Sequence, residues 1–133
     1  MNEFAASEWE RALLSLHSSE RLFDTDPDSA ASRAYYAAFH AVTAFFALRG
    51  QQFSKHTAIR AAVHRDLIHN GQWNVDLGKD YDFLMDLRET GDYGGLMHVS
   101  TEDARSAVQA AKRIIRAVGE SSPELGAGRK PDS

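Results

Sequence analysis

Arginine, tyrosine and histidine occur at spacings that suit the handling of a phosphate group. Arg33, Tyr36 and His40 fall within one predicted helix, and the seven-residue interval from Arg33 to His40 directs both side chains almost the same way. Histidine can move a proton near neutral pH, and arginine can neutralise charge that develops on a phosphoryl group. Two helical turns separate their backbones by about 10 Å, so the arginine would have to reach along the helix. The alternative role for His40 is that of a core or interface histidine bonded to a backbone carbonyl.

A second candidate centre is the segment Arg88-Glu89-Thr90-Gly91-Asp92-Tyr93. On a helix that begins near Asp76, Arg88 falls within the apolar arc, where a core side chain is expected. An unpaired guanidinium is costly to bury, so Arg88 either pairs internally or faces a cleft. Asp92, four residues on, is the local partner if the helix reaches that far. A buried ion pair and a functional cleft both remain open interpretations, and they overlap.

The sequence offers little for metal binding or covalent catalysis. It contains no cysteine, which excludes a disulfide scaffold, a thiolate nucleophile and any zinc site that uses cysteine. His64 and His69 lie close in sequence, but a helix would separate them by about 140° of rotation. We therefore expect no metal site and no cofactor.

Composition is typical of one soluble domain. The 133 residues are 43% hydrophobic, enough for a core without cross-links. The formal net charge of -4 argues against a broad basic surface for nucleic acid, although a local basic cleft is compatible with it. The first residues do not resemble a signal peptide, and no apolar stretch is long enough to cross a bilayer. We expect a cytoplasmic protein that does not associate with membranes.

Helical periodicity and its stop signals predict an all-α, up-and-down bundle of about five helices. Pro27 suits a first turn, Gly50 and Gly91 are predicted stops, and Ser100 with Asp103 resembles a capping box. The predicted helices are residues 3–23, 27–49, 56–69, 76–90 and 100–118. These elements define a domain at residues 1–118, and the polar stretch 119–133 is predicted to be a disordered tail.

The second helix carries an apolar stripe beside a stripe of small residues. The small-residue stripe includes Ala37, Ala44 and Ala47. One five-helix bundle would not readily cover both faces, so the pattern predicts a homodimer whose partner covers the alanine side.

Three ordered segments resemble one small-protein branch of the HEPN superfamily, and the resemblance spans residues 5–118. The segments are Ser32-Arg33-Ala34-Tyr35-Tyr36-Ala37-Ala38-Phe39-His40-Ala41, then Lys55-His56-Thr57, then Arg88-Glu89-Thr90-Gly91-Asp92-Tyr93. The first corresponds to a branch signature "S-R-x-Y-Y-A-x-F-H-A", and the others fall where that branch has "K-H" and "R-x-x-x-D-Y".

The resemblance implies a helical bundle that commonly dimerises. Many HEPN domains are metal-independent ribonucleases of toxin–antitoxin, CRISPR and anti-phage systems, with an arginine followed a few residues later by a histidine at the dimer cleft. The arginine corresponds to Arg88, but Asp92 and Tyr93 stand where the histidine is expected, and His98 lies beyond the usual spacing.

On this basis we assign candidate catalytic and binding roles. The catalytic candidates are Arg88, Asp92, Tyr93 and His40. The binding candidates are Arg33, Tyr36, Lys55 and His56. The alternatives are a non-catalytic module that binds nucleotide, RNA or a protein, and an accessory dimer without a ligand.

Tyr93 suggests a further partner by the same resemblance. Some HEPN toxins are silenced by a small nucleotidyltransferase, which modifies a tyrosine just after the catalytic motif. The resemblance therefore implies a cognate nucleotidyltransferase or antitoxin. A plain aromatic plug at the helix end is the competing interpretation of Tyr93.

Overall fold

The computed structural model describes residues 2–127, a range that contains helices and no strand. The helices are α1 (Glu3–Leu22), α2 (Pro27–Leu48), α3 (His56–Ala62), α4 (Val75–Tyr93), α5 (Thr101–Ser121) and α6 (Glu124–Ala127). In this part of the chain five helices have seven or more residues, which confirms the predicted all-α bundle of about five helices. No helix in residues 2–127 combines the length and the apolar character needed to cross a membrane.

The helix starts follow from local capping chemistry. The Asp26 carboxylate accepts a hydrogen bond from the backbone N–H of Ser29, and Pro27 occupies the first turn of α2, as the sequence predicts. The Ser100 hydroxyl likewise accepts from the N–H of Asp103 at 3.0 Å and starts α5. These caps satisfy backbone donors that have no partner within the helix.

Helix α2 is the centre of the bundle and packs against α1, α3, α4 and α5. Ala37, Ala44 and Ala47 are buried within the single chain. The expectation that a second copy covers this side of α2 is therefore wrong, because neighbouring helices of the same chain already cover it. The homodimer itself stays a prediction.

The sequence predicts that the fourth helix stops at Gly91, but α4 continues to Tyr93. A Cβ atom at Gly91 would lie 2.7 Å from the carbonyl oxygen of Asp28, in the first turn of α2. Gly91 therefore allows α4 to approach α2 closely and does not terminate the helix. The backbone N–H of Gly94 caps the end of α4 on the carbonyl of Thr90.

The predicted third helix is interrupted in its geometry. After α3 the chain continues as a π-helical segment, Val63–Ile68, before the turn at Gly71. The His64 ring lies against the first turn of α4, where a Cβ at Gly78 would come within 3.0 Å of it. Among the described residues no group of three or more His, Asp or Glu side chains is arranged to hold a metal ion.

The first half of the predicted tail is helical. Helix α5 extends to Ser121, and α6 places Leu125 in the core. The Arg49 guanidinium, at the end of α2, donates a hydrogen bond of 3.1 Å to the Ser122 hydroxyl. Residues 119–127 therefore pack on the bundle, where the sequence predicts a disordered tail. Residues 128–133 of the predicted tail lie outside the described residues.

Candidate functional site

Tyr36 lies next to several of the side chains that the sequence analysis identifies as candidates. Its hydroxyl accepts a hydrogen bond of 3.2 Å from Arg88 Nη2. The Arg33 guanidinium lies 5.0 Å from the centre of the Tyr36 ring, and the His40 ring centre is 6.1 Å away on the other side. With Asp92, which contacts Arg88, these residues form what we name the Tyr36 cluster: Arg33, Tyr36, His40, Arg88 and Asp92. Helices α2 and α4 together position it.

Arg88 is held as an ion pair at the edge of the bundle. Its Nε lies 3.2 Å from Asp92 Oδ2, although the N–H is not aligned with that oxygen as in a hydrogen bond. The Arg88 side chain is 14% exposed. The guanidinium carbon is 5.5 Å from the ring centres of both Tyr35 and Tyr93 and 5.6 Å from that of Tyr36. Arg88 is therefore paired with Asp92 and keeps a small exposed surface, and a functional role for that surface stays a prediction.

The charge of Arg88 is stabilised in place. Burial disfavours the charged form, but Tyr36, Tyr93 and Asp92 more than compensate, so the pKa of Arg88 is held above its ordinary value. The arginine is therefore permanently cationic at this position.

A cleft of about 350 Å³ opens beside the cluster, between the first turns of α2 and the end of α4. Arg33, Ser32, Asp28 and Asp92 contribute its polar lining. The Ser32 hydroxyl is 3.5 Å from Asp92 Oδ2. Asp28 accepts hydrogen bonds from the N–H of Val99 and from His98, both at 2.7 Å. The backbone bond from Val99 is the main reason why the pKa of Asp28 is lowered, with His98 adding to it. Both carboxylates are thus engaged within the protein.

His56 packs against aromatic side chains next to the Tyr36 cluster, whereas Lys55 does not. The Tyr35 hydroxyl lies 2.6 Å from His56 Nδ1. Burial raises the pKa of Tyr35 to about 12, so the hydroxyl stays protonated at neutral pH. The His56 ring also stacks on Phe39 at 4.3 Å. Burial, and then the charge of Arg88, lower the pKa of His56. Lys55 is exposed at the start of α3, with no side-chain capping bond.

Sequence reasoning missed Glu8. Its carboxylate oxygen Oε2 lies 3.0 Å from His40 Nδ1, and the two side chains are only 12% and 19% exposed. His40 is thus half-buried against a carboxylate, and no hydrogen bond joins its ring to a backbone carbonyl within residues 2–127. One signal was available: Glu8 lies between Ala5 and Ala12 at helical spacing, on the face of α1 that the periodicity turns inward.

The loop after α4 exposes apolar side chains next to the cluster. Tyr93 is 70% exposed, and Leu96 and Met97 follow it with exposures of 99% and 69%. His98 is also exposed, lies in this loop and contacts Asp28 rather than Arg88. Tyr93 therefore covers one side of Arg88 without being a buried plug.

Comparison with known proteins agrees with the architecture. A family model described as HEPN domain matches residues 6–121. A protein of Thermotoga maritima named UPF0332 protein is 37% identical over 90 residues, which is 68% of each chain. The crystal structure of TT1696 from Thermus thermophilus has the same fold, with a TM-score of 0.76 and 22% identity over 90% of this chain and 98% of that one. This chain belongs to the HEPN domain family.

Proposed function

We propose that this protein binds single-stranded RNA through the Tyr36 cluster, as the HEPN protein of a prokaryotic toxin–antitoxin or defence system. One observation carries the proposal. Two guanidinium groups, Arg33 and Arg88, converge on one tyrosine, and in the described part of the chain only Arg88 of the two has a carboxylate partner.

The local charge favours an anion despite the acidic composition. Within residues 2–127 Arg33 forms no ion pair, and its guanidinium rests on the Tyr36 ring beside the cleft. Asp28 is engaged by Val99 and His98, and Asp92 by Arg88. The charge of Arg33 is therefore left to bind a phosphate group that enters the cleft.

Aromatic exposure favours a nucleic acid over a simple anion. The Tyr93 ring is 70% exposed and lies 5.5 Å from the Arg88 guanidinium carbon. Unpaired RNA bases stack on exposed aromatic rings and on guanidinium planes, which contributes about 1–3 kcal/mol per base. A base on Tyr93, next to Arg88, and a neighbouring phosphate at Arg33 would place the RNA across the Tyr36 cluster.

The Arg88 segment supports binding better than cleavage. Asp92 stands where the family resemblance places a histidine, and its carboxylate faces Arg88. The segment therefore has a carboxylate, engaged by the guanidinium, and no imidazole beside Arg88. We therefore assign affinity for RNA, and not cleavage, to this segment.

The test is fluorescence anisotropy with a short, labelled, mixed-sequence oligoribonucleotide over a range of salt concentrations. We expect Arg33→Ala to weaken binding about tenfold and to reduce the slope of log K against log salt by about 1, as loss of one phosphate contact does. Arg116→Ala is the matched control, because this exposed arginine lies on α5, beside the groove between α4 and α5. Equal binding by wild type, Arg33→Ala and Arg116→Ala would refute the site.

A second candidate, which the exposed loop favours, is a protein partner of the nucleotidyltransferase or antitoxin type. Tyr93 at the end of α4, and Leu96 and Met97 in the loop after it, are exposed apolar side chains close together in sequence. Leu96→Asp should abolish co-purification with the product of a neighbouring gene while leaving the anisotropy measured with RNA unchanged. Co-purification that survives Leu96→Asp would contradict this role of the loop.

A further inference from the structure

We propose that the groove between the start of α4 and the end of α5 binds a small zwitterion of the α-amino acid class with an apolar side chain. The ligand carboxylate would pair with Arg116 and its ammonium group with Glu120, while its side chain would lie on Leu77 and Ala117. Leu77 is eleven residues from Arg88 on α4, which is about 16 Å along the helix axis. The groove is therefore separate from the Tyr36 cluster, and the inference does not depend on RNA binding.

The shape of the groove is the first observation. It consists of two adjoining hollows of about 380 and 300 Å³. Asn74, Leu77, Ala117 and Glu120 line both hollows, which makes them one continuous groove across the helix pair. Clefts of roughly 300–1,000 Å³ are typical of small-ligand sites. The groove therefore has room for a molecule of the size of an amino acid.

The floor of the groove is apolar. Leu77 on α4 and Ala117 on α5 are both half-buried, so each keeps some surface toward the groove. Trp73 closes one end, where its ring is 5% exposed and its indole N–H donates a hydrogen bond of 3.4 Å to the Ser121 hydroxyl. An apolar side chain that covered this floor would remove carbon surface from water on both sides, which favours binding.

Two opposite charges on the α5 wall are the second observation. Arg116 and Glu120 lie four residues apart and are neighbours on one face of the helix. Both are exposed and line the groove, yet within residues 2–127 neither forms an ion pair with the other or with a third residue. Arginine before glutamate is the less favourable order for pairing along a helix. A cation and an anion are thus both left beside the apolar floor.

The other charged side chains of the groove act on one another. Arg113 donates hydrogen bonds of 2.8 and 3.0 Å to Asp80. The side-chain bond to Asp80 is the main reason why the pKa of Arg113 is raised, and the charge of Asp76 adds to it. Arg116 and Glu120 are therefore the charges that a ligand can use without breaking an existing ion pair.

One free charge of each sign selects the ligand class. A simple anion at Arg116 would be repelled by Glu120, and a simple amine at Glu120 would be repelled by Arg116. A zwitterion satisfies both groups, and a carboxylate can accept two parallel N–H bonds from a guanidinium. In an α-amino acid the carboxylate, the ammonium group and the side chain diverge from one carbon atom. They can therefore reach the arginine, the glutamate and the apolar floor together.

The experiment titrates isotope-labelled protein with leucine and follows the indole N–H signals of its two tryptophans by NMR. Trp73 lines the groove, whereas Trp9 lies on α1 and does not. We expect a saturable shift of the Trp73 signal, with a dissociation constant on the order of 1 mM, and an unchanged Trp9 signal. N-acetylleucine lacks the ammonium group and leucinamide lacks the carboxylate, so each should bind at least about tenfold more weakly.

Three variants test the residues of the groove. Arg116→Gln and Glu120→Gln each remove one charge with little change in size, so each should weaken leucine binding at least about tenfold. Ala117→Leu should abolish the shift, because the larger side chain fills the floor. Arg105→Gln is the matched control, since this exposed arginine of α5 rests on the Phe23 ring and does not line the groove. The melting temperature of each variant without leucine shows that it is folded.

The outcomes separate this inference from the proposed function. Equal shifts with leucine, N-acetylleucine and leucinamide would indicate an apolar contact only and overturn the assignment of a zwitterion. A wild type without a saturable Trp73 shift, or binding that Arg116→Gln and Glu120→Gln leave intact, would also overturn it. Loss of RNA binding in Arg116→Ala would assign this arginine to the RNA site instead. Failure of leucine to bind leaves the proposed RNA binding untouched.

Discussion

The Arg88–Asp92 contact should contribute measurably to the stability of the fold. We expect Arg88→Ala and Asp92→Ala each to destabilise the fold, and the double variant to cost less than the sum. The physical reason is that Asp92 lies 3.2 Å from Arg88 Nε and that both side chains are largely withdrawn from water.

The expected magnitude lies between two known limits. Exposed ion pairs at this spacing contribute roughly 0.3–0.5 kcal/mol, whereas removal of one partner of a fully buried pair costs roughly 3–5 kcal/mol. Asp92 is 29% exposed, so water screens the pair in part. We therefore expect a coupling energy of about 1.5 kcal/mol.

Arg88→Ala should cost more than this coupling. It also removes the charged hydrogen bond to the Tyr36 hydroxyl, a class of interaction that contributes about 1.5–3 kcal/mol. The contacts with the rings of Tyr35 and Tyr93 are lost as well. The free energy of unfolding should therefore fall by about 3 kcal/mol in Arg88→Ala. Tyr36→Phe should lose only the part of this that comes from the hydrogen bond to the hydroxyl.

The assay is urea unfolding of the wild type, the two single variants and the double variant, with a second cycle on Arg113 and Asp80. That pair makes two aligned hydrogen bonds of 2.8 and 3.0 Å, but the Arg113 side chain is more than half exposed. We expect the Arg113–Asp80 coupling to be below about 1 kcal/mol. A coupling near zero for Arg88 and Asp92, or one no larger than that of the exposed pair, would refute the reasoning from burial.

Three other measurements test the fold and the assembly. Gly91→Ala should destabilise by about 1–3 kcal/mol, because its Cβ would lie 2.7 Å from the Asp28 carbonyl, whereas Gly119→Ala, with 3.7 Å to the nearest atom, should be neutral or stabilising. Calorimetry reads both, and equal melting temperatures would contradict the close approach. Burial lowers the pKa values of His56 and His40 in the folded protein, so the unfolded chain binds more protons as the pH falls. The contribution of these residues to stability should be fully present above the ordinary histidine pKa of about 6.5. It should be lost as the pH falls toward the folded-state pKa values. His56→Asn should flatten this acid limb in pH-dependent melts, and an unchanged limb would exclude His56 as its source. Light scattering at micromolar concentration should return the mass of a homodimer, and a stable monomer would contradict that expectation.

Local signals made most of the fold predictable. A proline in a first turn, a serine three residues before its N–H donor and a strict apolar repeat act within one helix, so the sequence carries them directly. The start of α2 at Pro27 and the start of α5 after Ser100 follow from such signals. The Arg88–Asp92 contact was predictable for the same reason, since four residues on a helix place two side chains side by side.

Contacts between distant segments were not predictable in this way. Gly91 reads as a helix stop because glycine is common there, but its function depends on Asp28, far away in sequence. The alanine stripe of α2 reads as a free face because a pattern cannot count the helices that cover it. In both cases the residue type shows that the position is special, but the sequence does not show which distant residue it contacts.

The candidate site shows the same division, and it indicates where to search in related sequences. Glu8 and Arg88 each place a charge on a helix face that the apolar repeat turns inward. Such a charge is costly unless another element supplies its partner, so each one reports a contact that the sequence pattern alone does not identify. Arg88 is bonded to Tyr36 on α2, and Glu8 contacts His40 on the same helix. The two inward-facing charges therefore contact neighbouring residues of α2. If each inward charge is kept for its partner, the two should vary together: a related chain that replaces Glu8 by an apolar residue should also replace His40, and one that replaces Arg88 should also replace Tyr36. A related chain that keeps His40 with an apolar residue at the Glu8 position would contradict this pairing.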